Sequence, residues 1–165
     1  MGKPAARILD PTMHPLPPGL TPGPGSVNVL IGYRPAWRGI PAAAAAGLQA
    51  AKQAADTSVQ AAMATTAAAV GPALPAAYAA EQTLKASVLA SMSTAINAAA
   101  GSGADIHICA VPSPVPPHGP GVVIDGSQTV MTNGLPQCRL GDTILEALGP
   151  PNKIAMGHPT VLVGG

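Results

Sequence analysis

Four short apolar runs stand out in the flanks of the chain: Val27-Asn28-Val29-Leu30-Ile31, Gly121-Val122-Val123-Ile124, Thr129-Val130-Met131 and Thr160-Val161-Leu162-Val163. Each is bounded by Gly, Pro, Asn or Asp, so each predicts a short strand between tight turns. The middle has a different texture. Residues 41–101 are dominated by Ala, the best intrinsic helix former, and predict two helices over 42–69 and 73–100. Gly71-Pro72 supplies the break and Gly101-Ser102-Gly103 the exit. Leu48, Ala55, Val59, Met63 and Val70 trace one stripe; Leu84, Val88 and Met92, with Leu89 and Ile96, trace another. Two such stripes suit a helical hairpin packed closely through small side chains. The pattern therefore divides the chain into the first part of a β domain (1–40), an inserted Ala-rich helical hairpin (41–101) and the remainder of the β domain (102–165).

Internal repeats support this division. Gly25-Ser26-Val27-Asn28-Val29, Gly126-Ser127-Gln128-Thr129-Val130 and Gly157-His158-Pro159-Thr160-Val161 are three G-x-x-x-V elements, leading to Gly32, Gly134 and Gly164. A second element, P-x-x-R, recurs in matching order as Pro4-Ala5-Ala6-Arg7, Pro35-Ala36-Trp37-Arg38 and Pro136-Gln137-Cys138-Arg139. An aspartate follows each arginine: Asp10, then Asp105 after the insertion, then Asp142. Three copies imply a pseudo-threefold arrangement in which neighbouring repeats bury faces that none could bury alone.

Composition adds a constraint. The 165 residues include 19 Gly, 20 Pro, one Trp, two Tyr and no Phe. Alanine is the largest single part of the apolar fraction and buries little area per residue. A thin core of this kind leans on turn geometry, strand pairing and a staple such as a disulfide or a structural metal. Eight basic and seven acidic side chains are scattered without runs, which leaves no footprint for nucleic acid. No paired carboxylates, nucleophile elbow or phosphate loop point to an enzyme.

Pro4-Ala5-Ala6-Arg7 and its two degenerate copies resemble the PAAR repeat of type VI secretion spike tips and related contractile injection systems. Gly149-Pro150-Pro151-Asn152-Lys153-Ile154, followed by Gly157 to Gly165, is similar to that family's closing repeat. The resemblance covers both flanks and not the insertion. It implies a mainly β fold: a small cone-shaped pseudo-threefold β-prism, here interrupted by a two-helix hairpin. Its blunt base would cap a trimeric VgrG-type spike protein, and its sharp end would carry zinc held by histidines and a cysteine. It also implies a non-enzymatic tip, present in the bacterial cytoplasm before firing and then delivered through the apparatus. Lys3 and Arg7 are followed by no apolar stretch, so no signal peptide is read there.

Ligand chemistry gives a second route to the metal. Structural zinc takes four Cys or His donors in a tetrahedron. In an extended strand His107 and Cys109 point to one side, since the period is two. His118 returns after Pro112, Pro114, Pro116 and Pro117, which stiffen the connection. Asp10 to His14 and Asp105 to Cys109 are both four residues, so His14 and Cys109 hold equivalent places. The expected ligands are His14, His107, Cys109 and His118. Glu146 holds the third equivalent place and is expected to be solvated or merely polar. His158 fills a turn position held elsewhere by serine, and Cys138 fills a PAAR alanine position suited to a small buried hydrophobe. Either could replace a ligand, and a Cys109–Cys138 disulfide is the alternative staple.

The insertion has two readings. Residues 57–80 and 86–104 lack Asp, Glu, Lys and Arg, and each stretch is long enough to approach a bilayer span. Against a membrane hairpin stand the weak contribution of alanine, the many Ser and Thr, and the charges Lys52, Asp56, Glu81 and Lys85. The hairpin is thus expected in water, with an effector or chaperone as its partner and membrane contact confined to delivery; the rival is a membrane-active or chaperone-bound module.

Overall fold

The computed structural model describes residues 2–101, 103–112 and 116–164; Ser102, Pro114 and Gly165, singled out above, lie outside the described residues. The strands are short: β1 (Lys3–Ala5), β2 (Pro22–Gly23), β3 (Leu30–Ile31) and β4 (Arg34–Pro35) precede the helices α1 (Ala42–Ala68) and α2 (Ala73–Ala100). There follow β5 (Ile106–Pro112), β6 (Pro117–Val123), β7 (Met131–Thr132), β8 (Leu135–Pro136), β9 (Thr143–Glu146), β10 (Asn152–Lys153) and β11 (His158–Val163). The molecule is β-rich with an inserted helical hairpin.

A pseudo-threefold axis runs through the second alanine position of each P-x-x-R element. Ala6 N donates to Cys138 O (2.8 Å), Trp37 N to Ala6 O (2.9 Å) and Cys138 N to Trp37 O (3.0 Å), closing a cycle of backbone hydrogen bonds. All three residues are fully buried. Gln137 crosses the axis: its Nε2 lies 3.0, 3.2 and 3.0 Å from the carbonyls of Ala6, Trp37 and Cys138. Cys138 is indeed a buried small residue, and both cysteines are free thiols, so no disulfide staples this fold.

Around this cycle stand three identical clamps. Arg7, Arg38 and Arg139 each donate their backbone N–H to Asp10, Asp105 and Asp142 at 2.8 Å, and each guanidinium grips the same carboxylate. In the first and third the geometry follows from a tight R-x-x-D turn, in which one carboxylate meets both the backbone and the side chain of the same arginine; Arg38 and Asp105 reproduce it across the insertion. Beyond the clamps the three G-x-x-x-V turns form a second ring. Ser26 and Asn28 meet Asn133, Ser127 donates to Gly164 O, and His158 closes on Gly32 so tightly that a β-carbon there would collide with its ring.

β10, β9, β6, β5 and β2 make one five-stranded antiparallel sheet in that order. The runs at 160–163 and 121–124 lie in β11 and β6, Ile124 apart, whereas only Leu30–Ile31 and Met131 of the other two are in strands, because those repeats turn within a few residues; Val27 protrudes from its turn instead of pairing. The helices pack antiparallel, with Thr66 Oγ1 donating to Ala77 O near the distal turn. The residues they bury are Ala45, Leu48, Lys52 and Val59 on α1 and Glu81, Lys85, Val88, Met92, Ile96 and Ala100 on α2. Met63 and Val70, expected on the stripe, are exposed, and the seam passes through Ala62 and Thr66. The root of the hairpin shares a core with the sheet through Val122, Leu145 and Leu148. Among the described residues no helix is long and apolar enough to cross a membrane.

Candidate metal centre

Each repeat leaves its clamp aspartate and, four residues later, presents a donor to the same point. His14 comes from the first repeat, Cys109 on β5 from the second and Glu146 at the end of β9 from the third. His118 on β6 arrives by the β5–β6 hairpin, in which Cys109 pairs with Gly119. The donor atoms of these four residues all lie within 4.8 Å of one another.

The distances from Cys109 are close to the edges of a coordination polyhedron, whereas those from Glu146 are of hydrogen-bond length. Glu146 Oε2 is 3.0 Å from His14 Nδ1 and 2.7 Å from His118 Nδ1. Cys109 Sγ is 3.5 Å from His14 Nδ1 and 3.8 Å from His118 Nδ1. A tetrahedral ion with bonds of ~2.0–2.3 Å has ligand–ligand edges of roughly 3.3–3.7 Å. The two imidazoles meet edge to face, with centroids 5.0 Å apart.

The surroundings fix these side chains. His14 N donates to Asn152 Oδ1 at 3.0 Å, and Thr12 Oγ1 donates to His14 O, so its loop is held at both sides. Leu148 N donates to His118 O at 2.9 Å. Cys109, His118 and Glu146 are buried, and His14 is partly covered. Burial pushes the Cys109 thiol up to about 11, and the nearby Glu146 carboxylate acts in the same direction. A cation at the centre reverses this preference, because it stabilises the thiolate directly.

Two buried polar atoms bear on whether the centre suits a cation. Glu146 Oε1 and His107 Nε2 are buried with no hydrogen-bond partner. Leaving such groups unsatisfied costs about 1–3 kcal/mol each, more for a charged one. The donor set therefore fits a metal ion.

The structure brings three of the four expected ligands together and adds one. Glu146, expected to be solvated, is fully buried and touches both histidines. His107 is buried on the same side of β5 as Cys109, but stands outside the group of four. Its Nδ1 accepts a 3.4 Å hydrogen bond from Thr21 N. Burial lowers its pKa, while Glu146 lies close enough to act against that shift. His158 is remote from this centre, at the Gly32 turn, and Cys138 is on the axis. The signal for Glu146 was the four-residue spacing from Asp142, which repeats that of His14 and Cys109 from their aspartates.

Residues 115–165 match the model of a family described as the PAAR motif. This segment includes His118, Glu146 and the third P-x-x-R element. No curated protein and no solved structure matches the chain significantly.

Proposed function

Since this chain is a PAAR-repeat protein, we propose that it is the zinc-pinned, non-enzymatic tip of a contractile injection spike of the type VI secretion kind, seated on a trimeric VgrG-type protein. The pseudo-threefold ring carries this reading. A single chain suits an axial seat on a trimer when it offers three similar faces, and the three recurring turns beyond the clamps support that. These turns expose Val27, Leu30 and Tyr33 from one repeat, Val130 and Met131 from the next, and Leu162 from the last. Tyr33 is 98% exposed, and apolar side chains gathered on one ring are what an interface covers.

Along the second and third repeats the turn comes before the clamp and the donor after it, which supports placing the donors at the end away from this ring. His14, Cys109, His118 and Glu146 would hold Zn²⁺ there, with His107 as the competing fourth ligand. Two nitrogens, a sulfur and an oxygen match zinc's borderline character, and four protein ligands leave no position for a reacting water. The ion would contribute stability by binding only the folded state. A tip driven through an envelope needs that resistance to unfolding where the chain narrows.

The hairpin would serve as an adaptor for an effector or chaperone. Leu74, Tyr78, Met63 and Val70 lie exposed near its distal turn, away from the β domain. This cluster supports partner binding over passage through a bilayer, since no described helix is apolar enough to span one. The base is tested by Tyr33→Asp and Met131→Asp in co-purification with a matched spike protein. Loss of the complex with retained folding is expected, and undiminished binding by both variants would contradict the seating.

A further inference from the structure

The insertion reaches the metal centre from two directions. From α1, Lys52 is only 7% exposed, and its Nζ donates to Gly149 O at 2.9 Å while pairing with Asp56. Gly149 has φ +76° and lies against the His118 ring; a β-carbon there would collide with the imidazole. From α2, Leu89 covers Gly119, the residue after His118, and a β-carbon at Gly119 would stand 2.5 Å from Leu89 Cδ1. The two glycines are thus close-approach positions with the insertion on one side and a donor histidine on the other. Burying an ammonium is costly unless it is paired and hydrogen-bonded; Asp56, one turn along α1, supplies the pair, and Gly149 O supplies the hydrogen bond while α1 is docked on that loop.

We infer that the helical insertion forms the outer wall of the metal centre. Lys52 and Leu89 are positioning residues that hold His118, so metal binding and docking of the hairpin root are coupled. The inference rests on the metal reading above. Coupling of this kind is reciprocal: whatever the docked hairpin adds to metal affinity, the metal adds to docking. Residues that orient a ligand from outside its coordination shell typically change metal affinity by ~10–100-fold.

The test compares the full chain with Lys52→Ala, Leu89→Ala, Lys52→Arg and the distal control Tyr78→Ala. Zn²⁺ affinity is measured against a chelating indicator, and Co²⁺ absorption spectra report the ligand geometry. Lys52→Ala and Leu89→Ala are expected to weaken Zn²⁺ by ~10-fold or more and to alter the Co²⁺ bands. Lys52→Arg recovers much of the loss, and Tyr78→Ala changes neither. Hydrogen exchange on the unmutated chain covers the case of a misfolded variant. Added Zn²⁺ should slow exchange near 48–56 and 85–92 and leave 70–78 unchanged. Normal affinity and spectra in both variants, or protection confined to the β domain, overturns the coupling alone. An unmutated chain that binds no Zn²⁺ overturns the metal reading itself.

Discussion

Arg38 and Asp105 are separated by 67 positions, yet they meet as Arg7 meets Asp10 and as Arg139 meets Asp142, each three apart. Asp105 N even donates to Arg38 O at 3.0 Å, as the aspartate N–H does to the arginine carbonyl in the two short turns. The helical hairpin thus stands where the other repeats have two residues, and the clamp joins its two roots.

Arg38→Ala should therefore be among the costliest substitutions in the chain. It leaves Asp105, fully buried, without its partner, and breaking such a pair costs about 3–5 kcal/mol. Lys3→Ala removes only a half-exposed partner, 3.8 Å from Asp142, and should cost less than about 1 kcal/mol. Urea unfolding of the two variants checks the contrast; equal midpoints would show that the clamp is not what joins the roots.

Gln137→Ala should destabilise by about 1–3 kcal/mol, because three inward carbonyls lose a shared donor. Gln137→Glu should be worse at neutral pH, since it aims a carboxylate at those same oxygens. Thermal unfolding of both variants gives the order, and a Glu variant as stable as the parent would mean that the axial amide makes no such contacts.

Metal affinity should rise with pH. Burial raises the Cys109 thiol to about 11, so binding near neutrality must expel its proton. Affinity should grow ~10-fold per pH unit over the range just above neutrality, with at least one proton released per ion. Titration in buffers of different ionisation enthalpy measures that release. A value of zero would remove Cys109 from the ligand set.

Glu146→Ala and His107→Ala separate the two candidates for the fourth ligand. Glu146→Ala should lower Zn²⁺ affinity by ~10-fold or more, and His107→Ala should act more weakly, as a removed neighbour. The opposite order would return His107 to the centre and leave Glu146 as its surroundings.

Much of this was legible because symmetry forces repetition. The arginine–aspartate pairs must recur if three turns are to close one ring, so Asp105 could be matched to Arg38 across the insertion. Helix limits were equally readable: Ala has high propensity, and Gly71 and Pro72 interrupt it. The seam was less so. In an alanine-rich helix neighbouring faces differ little in hydropathy, so Met63 and Val70 drew the stripe towards themselves while Ala62 and Thr66 made the contact. Glu146 was misread because carboxylates are seldom buried alone. The structure instead buries it in contact with both His14 and His118. The axial role of Gln137 left no trace in the pattern, since its counterparts Ala5 and Ala36 carry no amide.

The mass of the complex with a matched trimeric spike protein tests the tip assignment most directly. Native mass spectrometry should find one copy of this chain and one zinc ion per trimer, with the complex lost on Tyr33→Asp. Three copies per trimer, or no complex with a spike protein encoded beside it, would contradict the account.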